Sequence, residues 1–312
     1  MEQFLQEVIQ DLSAQPKRLN SKYFYDEAGS RLFQQIMNCE EYYPTDCELE
    51  IFKEKTAELA TVLKNGFDDF ELIELGAGDA TKSSYLLREL VETGVTFTYR
   101  PIDISGSMID QLESELPEKI KGLQVKGLCG DYFDMLDQAN QLSDKKKVIL
   151  FMGGNIGNFE VQDALAFCEK LKRYLNPGDL VLVGFDLKKH PGVVRAAYND
   201  KEGFTKAFNL NLLHRINREL GGNFVVDQFE HYPSYDPGSG ACRSYLISLK
   251  DQLVKVGDKN FEFKKDEFIA MEISQKYSIA ETEDLAIKAG YSPVKHFTDE
   301  KNWFLDTVWE VV

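Results

Sequence analysis

The chain has 312 residues, of which 43% are hydrophobic and 12% aromatic, enough for one large or two ordinary packed domains and too apolar for a disordered chain. Its 52 acidic residues outweigh 36 lysines and arginines, and a net charge of −16 repels phosphate backbones and anionic bilayers, so no nucleic acid and no membrane is expected as a partner. No apolar run approaches the roughly 20 residues that span a bilayer; five cysteines (Cys39, Cys47, Cys129, Cys168 and Cys242) without a CxxC spacing, beside only four histidines, predict a cytoplasmic protein with reduced thiols and no metal centre.

The opening MEQFLQEVIQDL is acidic and amphipathic, unlike the basic start and apolar middle of a signal peptide. RLFQQIM (31–37) sets Leu32, Phe33 and Ile36 on one helical face. EEYYPT interrupts that helix at Pro44, and Thr45 with Glu48 three residues on reads as a capping box for a helix over DCELEIFKEKTAELATVLKN. From 70 to 186 strands and helices alternate. The strands are ELIEL, FTYRPIDI, LQVKGLC, KVILFMG and DLVLVGFDL, and the helices between them include KSSYLLRELVET and VQDALAFCEKLKRYL. Short apolar runs separated by helices predict a parallel sheet covered on both faces. After 188 the pattern changes to a long helical stretch, GVVRAAYNDKEGFTKAFNLNLLHRINREL. Antiparallel strands follow in FVVDQFEHYPSYD, CRSYLISLKDQLVKVG and FEFKKDEFIAMEISQKYS. The last 33 residues read as one helix and two strands.

The first strand runs into Gly76-Ala77-Gly78, where glycine permits unusual dihedrals and a close approach of backbone to a ligand. A dinucleotide and S-adenosylmethionine both use such a turn. Three features favour the second. Thr81 stands where a dinucleotide fingerprint has its third glycine. Asp103 ends the second strand, placed to accept the ribose hydroxyls of an adenosine, which alone suits either cofactor and, together with the other two features, S-adenosylmethionine. Asp131 and Tyr132 follow the third strand as an acid and an aromatic suited to an adenine edge and face. These groups all fall at carboxyl ends of neighbouring strands, where open parallel sheets bind ligands. The fourth strand end, FMGGNIGNF, adds glycines that clear space and Asn158, whose side chain suits a polar substrate or the cap of the next helix.

YFYDEAGSRLFQQI, EEYYPT, IELGAGDATKSSYLL, PIDIS, GDYF, GGNIGNF, AAYND with FTKAFNLNLLHRINRELGGNF, and MEIS together resemble the histidine-specific methyltransferase family, which includes the L-histidine Nα-methyltransferase of ergothioneine biosynthesis. The likeness runs from about residue 16 to the C-terminus. It implies an α/β fold: a Rossmann-like S-adenosylmethionine-dependent methyltransferase sheet with an inserted α+β substrate-binding domain. The C-terminal helix and hairpin fit the closing strands of such a sheet. The expected division is residues 54–188 with 278–312 for the methyltransferase domain and residues 1–53 with 189–277 for the substrate-binding domain.

By motif position, the resemblance implies that Tyr25, Gly76, Lys82, Asp103, Asp131 and Tyr132, with Gly78 of the turn, line the S-adenosylmethionine site, Lys82 meeting the methionyl carboxylate. Tyr42, Asn158 and Tyr198 would hold the α-amine and α-carboxylate of a small amino-acid substrate, Tyr42 and Asn158 serving catalysis. Glu272 and Ser274, on one face of an alternating strand, would reach the imidazole of histidine. Ser244 departs from the family, standing where the histidine enzyme has a methionine beside that imidazole. The readings are therefore an N-methyltransferase of L-histidine making hercynine, a family member with a different amine substrate, a protein that holds S-adenosylmethionine without turnover, and an NAD-dependent dehydrogenase. A monomer is expected.

Overall fold

The computed structural model describes residues 2–67 and 69–312. The chain forms two compact units, one of the residues up to Tyr43 with Lys189–Ser274, the other of Pro44–Lys188 with Gln275–Val312. The second unit thus takes in residues 44–53 and 275–277, which the sequence reading had assigned to the substrate-binding side. Among the described residues the strands are, in chain order, β1 (Asp69–Leu75), β2 (Thr96–Asp103), β3 (Leu128–Cys129), β4 (Lys146–Phe151), β5 (Leu180–Asp186), β6 (Phe229–Tyr235), β7 (Ala241–Ser248), β8 (Gln252–Val256), β9 (Lys259–Phe263), β10 (Phe268–Gln275), β11 (Tyr291–Thr298) and β12 (Phe304–Val311).

Seven of them make one sheet in the order β11-β12-β5-β4-β1-β2-β3. β3, β2, β1, β4 and β5 run parallel, and β12 and β11 close the sheet as antiparallel strands. β5 is buried along its whole length and β1 at all but its first residue, as expected of strands covered on both faces. Ile73 and Leu75 of β1, Ile149 and Phe151 of β4, and Val181, Val183 and Phe185 of β5 pack in one core with Trp309. Because five neighbouring strands run parallel, Gly76, Asp103, Asp131 and Gly153 follow strand ends on the same edge. The strand order reverses between β1 and β4, which makes that edge the topological switch point.

Three local expectations are corrected. β3 is two residues long rather than LQVKGLC, because Gly127 leaves the ladder to donate its N–H to Glu113 Oε1 at 2.7 Å, while Val125 keeps only an isolated bridge to Tyr99. The helix after EEY begins at Tyr43 and ends at Glu54, with Pro44 in its first turn, where the missing N–H needs no partner. Thr45 is therefore inside the helix, and Glu48 turns to Lys82 and Gly153 instead of closing a capping box. The long helical stretch after 188 is two helices, Pro191–Ala197 and Phe204–Leu220. Asp200 starts the second by accepting the N–H groups of Phe204 and Thr205 at 2.7 and 2.8 Å.

The other unit contains a three-stranded sheet, β10-β7-β6, and the β8-β9 hairpin. Phe208, Leu212, Leu213 and Ile216 of helix Phe204–Leu220 share a core with Phe4, Val8 and Leu12 of the N-terminal helix Glu2–Ser13 and with Leu246, Ile269 and Met271 of the sheet.

Candidate functional site

The turn after β1 holds Gly76 at φ +74°, Gly78 at +53° and Ala80 at +53°, a left-handed path that side chains resist. A Cβ on Gly76 would lie 2.6 Å from the Tyr132 hydroxyl, so the ring can close over the turn only because residue 76 has no side chain. Gly78 has open space where its Cβ would be, and its N–H donates to Asp103 Oδ2 at 3.3 Å. Asp103 Oδ1 accepts the Ser105 N–H at 2.9 Å, while Ser105, not Asp103, caps the following helix. Asp131 does cap helix Tyr132–Leu142 through Phe133 N–H at 3.0 Å, and it stays exposed. Burial, with the charges of Asp103 and Asp131, pushes the Tyr132 phenol up to about 12. Turn, two acids and ring therefore sit together on one edge of the sheet, as the sequence pattern predicts.

Lys82 lies in the same unit, at the start of helix Ser83–Glu92, and its ammonium is paired with the fully buried Glu48. Glu48 Oε1 also accepts the Gly153 N–H at 2.7 Å, tying helix Tyr43–Glu54 to the end of β4. Two further buried acids surround this pair. Asp306 sits opposite Gly184 across the β12–β5 ladder, and burial followed by the Glu48 charge raises its pKa well above the carboxylate range. Glu74 accepts from the Tyr99 hydroxyl at 2.5 Å, and burial raises it to about 7. Sequence reasoning missed Glu48, Asp306 and Glu74. The acid inside FLDTVWEV was a visible signal, since an isolated carboxyl in an apolar strand needs a partner or a proton. Asn158, after β4, ends a single 3₁₀ turn, Asn155–Asn158, and is exposed. The next helix starts at Val161 with Glu160 at its cap, so Asn158 is not the capping residue.

The remaining predicted residues belong to the other unit. Tyr25 is 49% exposed and packs edge-on against Phe33 at 5.5 Å. Phe33 meets Tyr42 at 6.4 Å, Tyr42 meets Tyr198 at 6.2 Å, and the Tyr198 hydroxyl donates to Ser274 Oγ at 2.7 Å. Glu272 accepts from Asn209 Nδ2 at 3.1 Å. Asn209 is fully buried, gives its other N–H to the Thr205 carbonyl at 3.0 Å, and leaves its own Oδ1 without a donor among the described residues. Ser244, almost fully buried, meets His231 Nε2 at 3.1 Å. Burial drives the His231 pKa down to about 4, so the ring is neutral at pH 7.

A family profile described as histidine-specific, SAM-dependent methyltransferase matches residues 4–311. The chain belongs to that family. This methyltransferase is 32% identical over 300 residues to the histidine N-alpha-methyltransferase of Mycobacterium tuberculosis, covering 96% of this chain and 92% of that one. It is 32% identical over 288 residues to ergothioneine biosynthesis protein 1 of Neurospora crassa, covering 91% of this chain and 32% of that longer one. It is also 30% identical over 313 residues to an L-tryptophan methyltransferase of Psilocybe serbica, covering 91% and 86% of the two chains.

The methyltransferase uses S-adenosylmethionine, not a dinucleotide, and its sheet edge fits that cofactor. The open backbone at Gly78 leaves room for a ligand, and Asp103 and Asp131, whose charges both act on the Tyr132 phenol, offer acceptors. Among the described residues no group of three or more histidine, cysteine or acidic side chains could hold a metal ion, and no helix is long and apolar enough to cross a membrane.

Proposed function

We propose that this methyltransferase acts on the α-amine of L-histidine and methylates it three times to hercynine, a step of ergothioneine biosynthesis. Bound S-adenosylmethionine supplies an electrophilic methyl group on a sulfonium. Gly76, Gly78, Asp103, Asp131 and Tyr132 hold its adenosine and Lys82 its methionyl carboxylate, and Tyr25 is the further residue that the family motif assigns to the cofactor. Tyr42, Asn158 and Tyr198 hold the amine and carboxylate of the substrate. The α-amine of a free amino acid is more basic than the N-terminal amine of a peptide and enters mainly as ammonium, so it gives a proton to water before these residues orient its lone pair. Orientation of that kind is worth roughly 7–11 kcal/mol. Tyrosine oxygens and the Asn158 amide oxygen can accept from the amine while it keeps an N–H, water takes the proton released after each of the first two transfers, and the third transfer, to a tertiary amine, releases none.

The observation that carries histidine is the pair on β10. Glu272 is presented by Asn209 and Ser274 by Tyr198, giving a carboxylate and a hydroxyl two residues apart, both suited to imidazole nitrogens. The relatives named for histidine support it. The test is calorimetry of the twenty amino acids with S-adenosylhomocysteine present, followed by mass spectrometry of products. Histidine should bind, Glu272→Ala should weaken it by at least about tenfold through loss of a charged hydrogen bond, and S-adenosylhomocysteine affinity should be unchanged. A product stopping at one methyl refutes trimethylation.

Ser244 supports a second reading, a different amino acid. Its hydroxyl is engaged by His231, so a polar pair stands at the position where the family's histidine enzyme has an apolar wall. Binding of another amino acid, with none for histidine, decides for it. A protein that binds S-adenosylmethionine tightly and gives no methylated product with any amino acid would be the non-catalytic alternative. We also propose a cytoplasmic monomer without a nucleic-acid partner, on the acidic charge and five cysteines without a CxxC spacing; sedimentation at equilibrium tests the monomer.

A further inference from the structure

Glu48, Lys82 and Asp306 come from three distant parts of the chain and meet inside the unit of the seven-stranded sheet. Glu48 is held from three sides: the Gly153 N–H donates to Oε1, the Lys82 ammonium pairs with Oε2, and Asp306 lies beside it. A Cβ on Gly184 would fall 2.5 Å from Glu48 Oε1 and 3.1 Å from Asp306 Oδ1, so a glycine in mid-strand is what admits both carboxyls. Neither oxygen of Asp306 receives a donor from the described residues. As a neutral acid it can instead give its own proton to Glu48, which turns a repulsive pair into a hydrogen-bonded one.

Lys82 retains 24% of its side-chain exposure, and its Nζ is 3.7 Å from where a Gly153 Cβ would stand, at the open end of β4. One of its three donors is used by Glu48; the others remain for a ligand. We propose that Glu48, backed by Asp306, is a positioning residue that keeps Lys82 charged and aimed at the methionyl carboxylate of the cofactor. The inference rests on the reading of Lys82 as the group that meets that carboxylate. Burial alone would drive the lysine toward its neutral form, and the charge and hydrogen bond of Glu48 are the strongest influences opposing this. Removing the Glu48 charge should therefore make carboxylate recognition fail as pH rises.

The experiment compares S-adenosylhomocysteine with 5′-methylthioadenosine, which keeps the adenosine and lacks the amino-acid end, by calorimetry from pH 6 to 9. The wild-type preference for S-adenosylhomocysteine should be flat with pH. In Glu48→Gln it should match wild type at pH 6 and fall about tenfold by pH 9, while 5′-methylthioadenosine binds normally, which also shows that the adenosine site is folded. Glu48→Asp should restore a flat profile, and it serves as the readout if the glutamine variant does not fold. Asp306→Asn, a neutral isostere of the acid, should keep the flat profile. A flat, wild-type preference in Glu48→Gln overturns the proposal, as does loss of preference in Asp306→Asn for the part assigned to Asp306. Lys82→Met separates the two levels: if it keeps the preference, the reading of Lys82 falls; if it loses the preference while Glu48→Gln does not, only the role of Glu48 falls.

Discussion

Glu74→Gln should change stability in a way that depends on pH. The carboxyl is 3% exposed and accepts from the Tyr99 hydroxyl at 2.5 Å. Burial raises its pKa from 4.5 to about 7, against the opposing hydrogen bonds of Tyr99 and Ser83 and the charge of Lys82. A carboxyl whose pKa is raised on folding contributes fully below the unfolded value, and that contribution is lost as pH climbs from about 4.5 through 7. At about 1.36 kcal/mol per pKa unit the loss amounts to about 3 kcal/mol. Glutamine has the same shape, still accepts from Tyr99, and carries no titrating group. Loss of the protonated carboxyl's own hydroxyl donor costs about 1 kcal/mol, so the variant should be slightly less stable than wild type at pH 4.5 and more stable by about 2 kcal/mol at pH 8. Both tryptophans, Trp303 and Trp309, lie in the unit that holds Glu74, so urea unfolding followed by tryptophan fluorescence reports that unit. A difference between variant and wild type that stays constant from pH 4.5 to 8 refutes the reasoning.

Gly76→Ala combines a left-handed backbone at φ +74° with a Cβ 2.6 Å from the Tyr132 hydroxyl, and calorimetry should show S-adenosylhomocysteine binding weakened at least about tenfold with the fold retained. Gly184→Ala drives a methyl against Glu48 and Asp306; it should lower the unfolding free energy of the sheet unit, read by urea denaturation, by about 1–3 kcal/mol, as overpacking does. His231, depressed from 6.5 to about 4, supports its unit fully above pH 6.5 and loses that support as pH falls toward 4. Hydrogen-exchange protection factors of β6 and β7, which correct for the slower chemical exchange in acid, should therefore fall over that range in the wild type and much less in His231→Gln.

What was legible depended on how local the cause was. The parallel strands are continuous apolar runs because both their faces are covered, so composition alone marks β1, β4 and β5. Asp103 and Asp131 were placed by strand ends, which the same runs delimit. The T-x-x-E pattern at Thr45 misled, because Glu48 finds its partners 34 and 105 residues away, and a carboxylate follows the stronger cation rather than the nearer N–H. Lys82 was readable as a position but not its counter-ion, and Asn209, which presents Glu272, looks like any residue of a helical run. The short β3 depended on Gly127 being drawn to Glu113, a contact that no strand propensity carries.

β12 lies between β5 and β11 although it is built from residues 304–311. On the ribosome, β5 must wait with its hydrogen-bonding edge bare while more than a hundred further residues are made. Such an edge is a template for pairing with another chain. A nascent or truncated product ending before Phe304 would thus carry a sticky, apolar border, and its solubility should depend on chaperones in a way that the finished protein's does not.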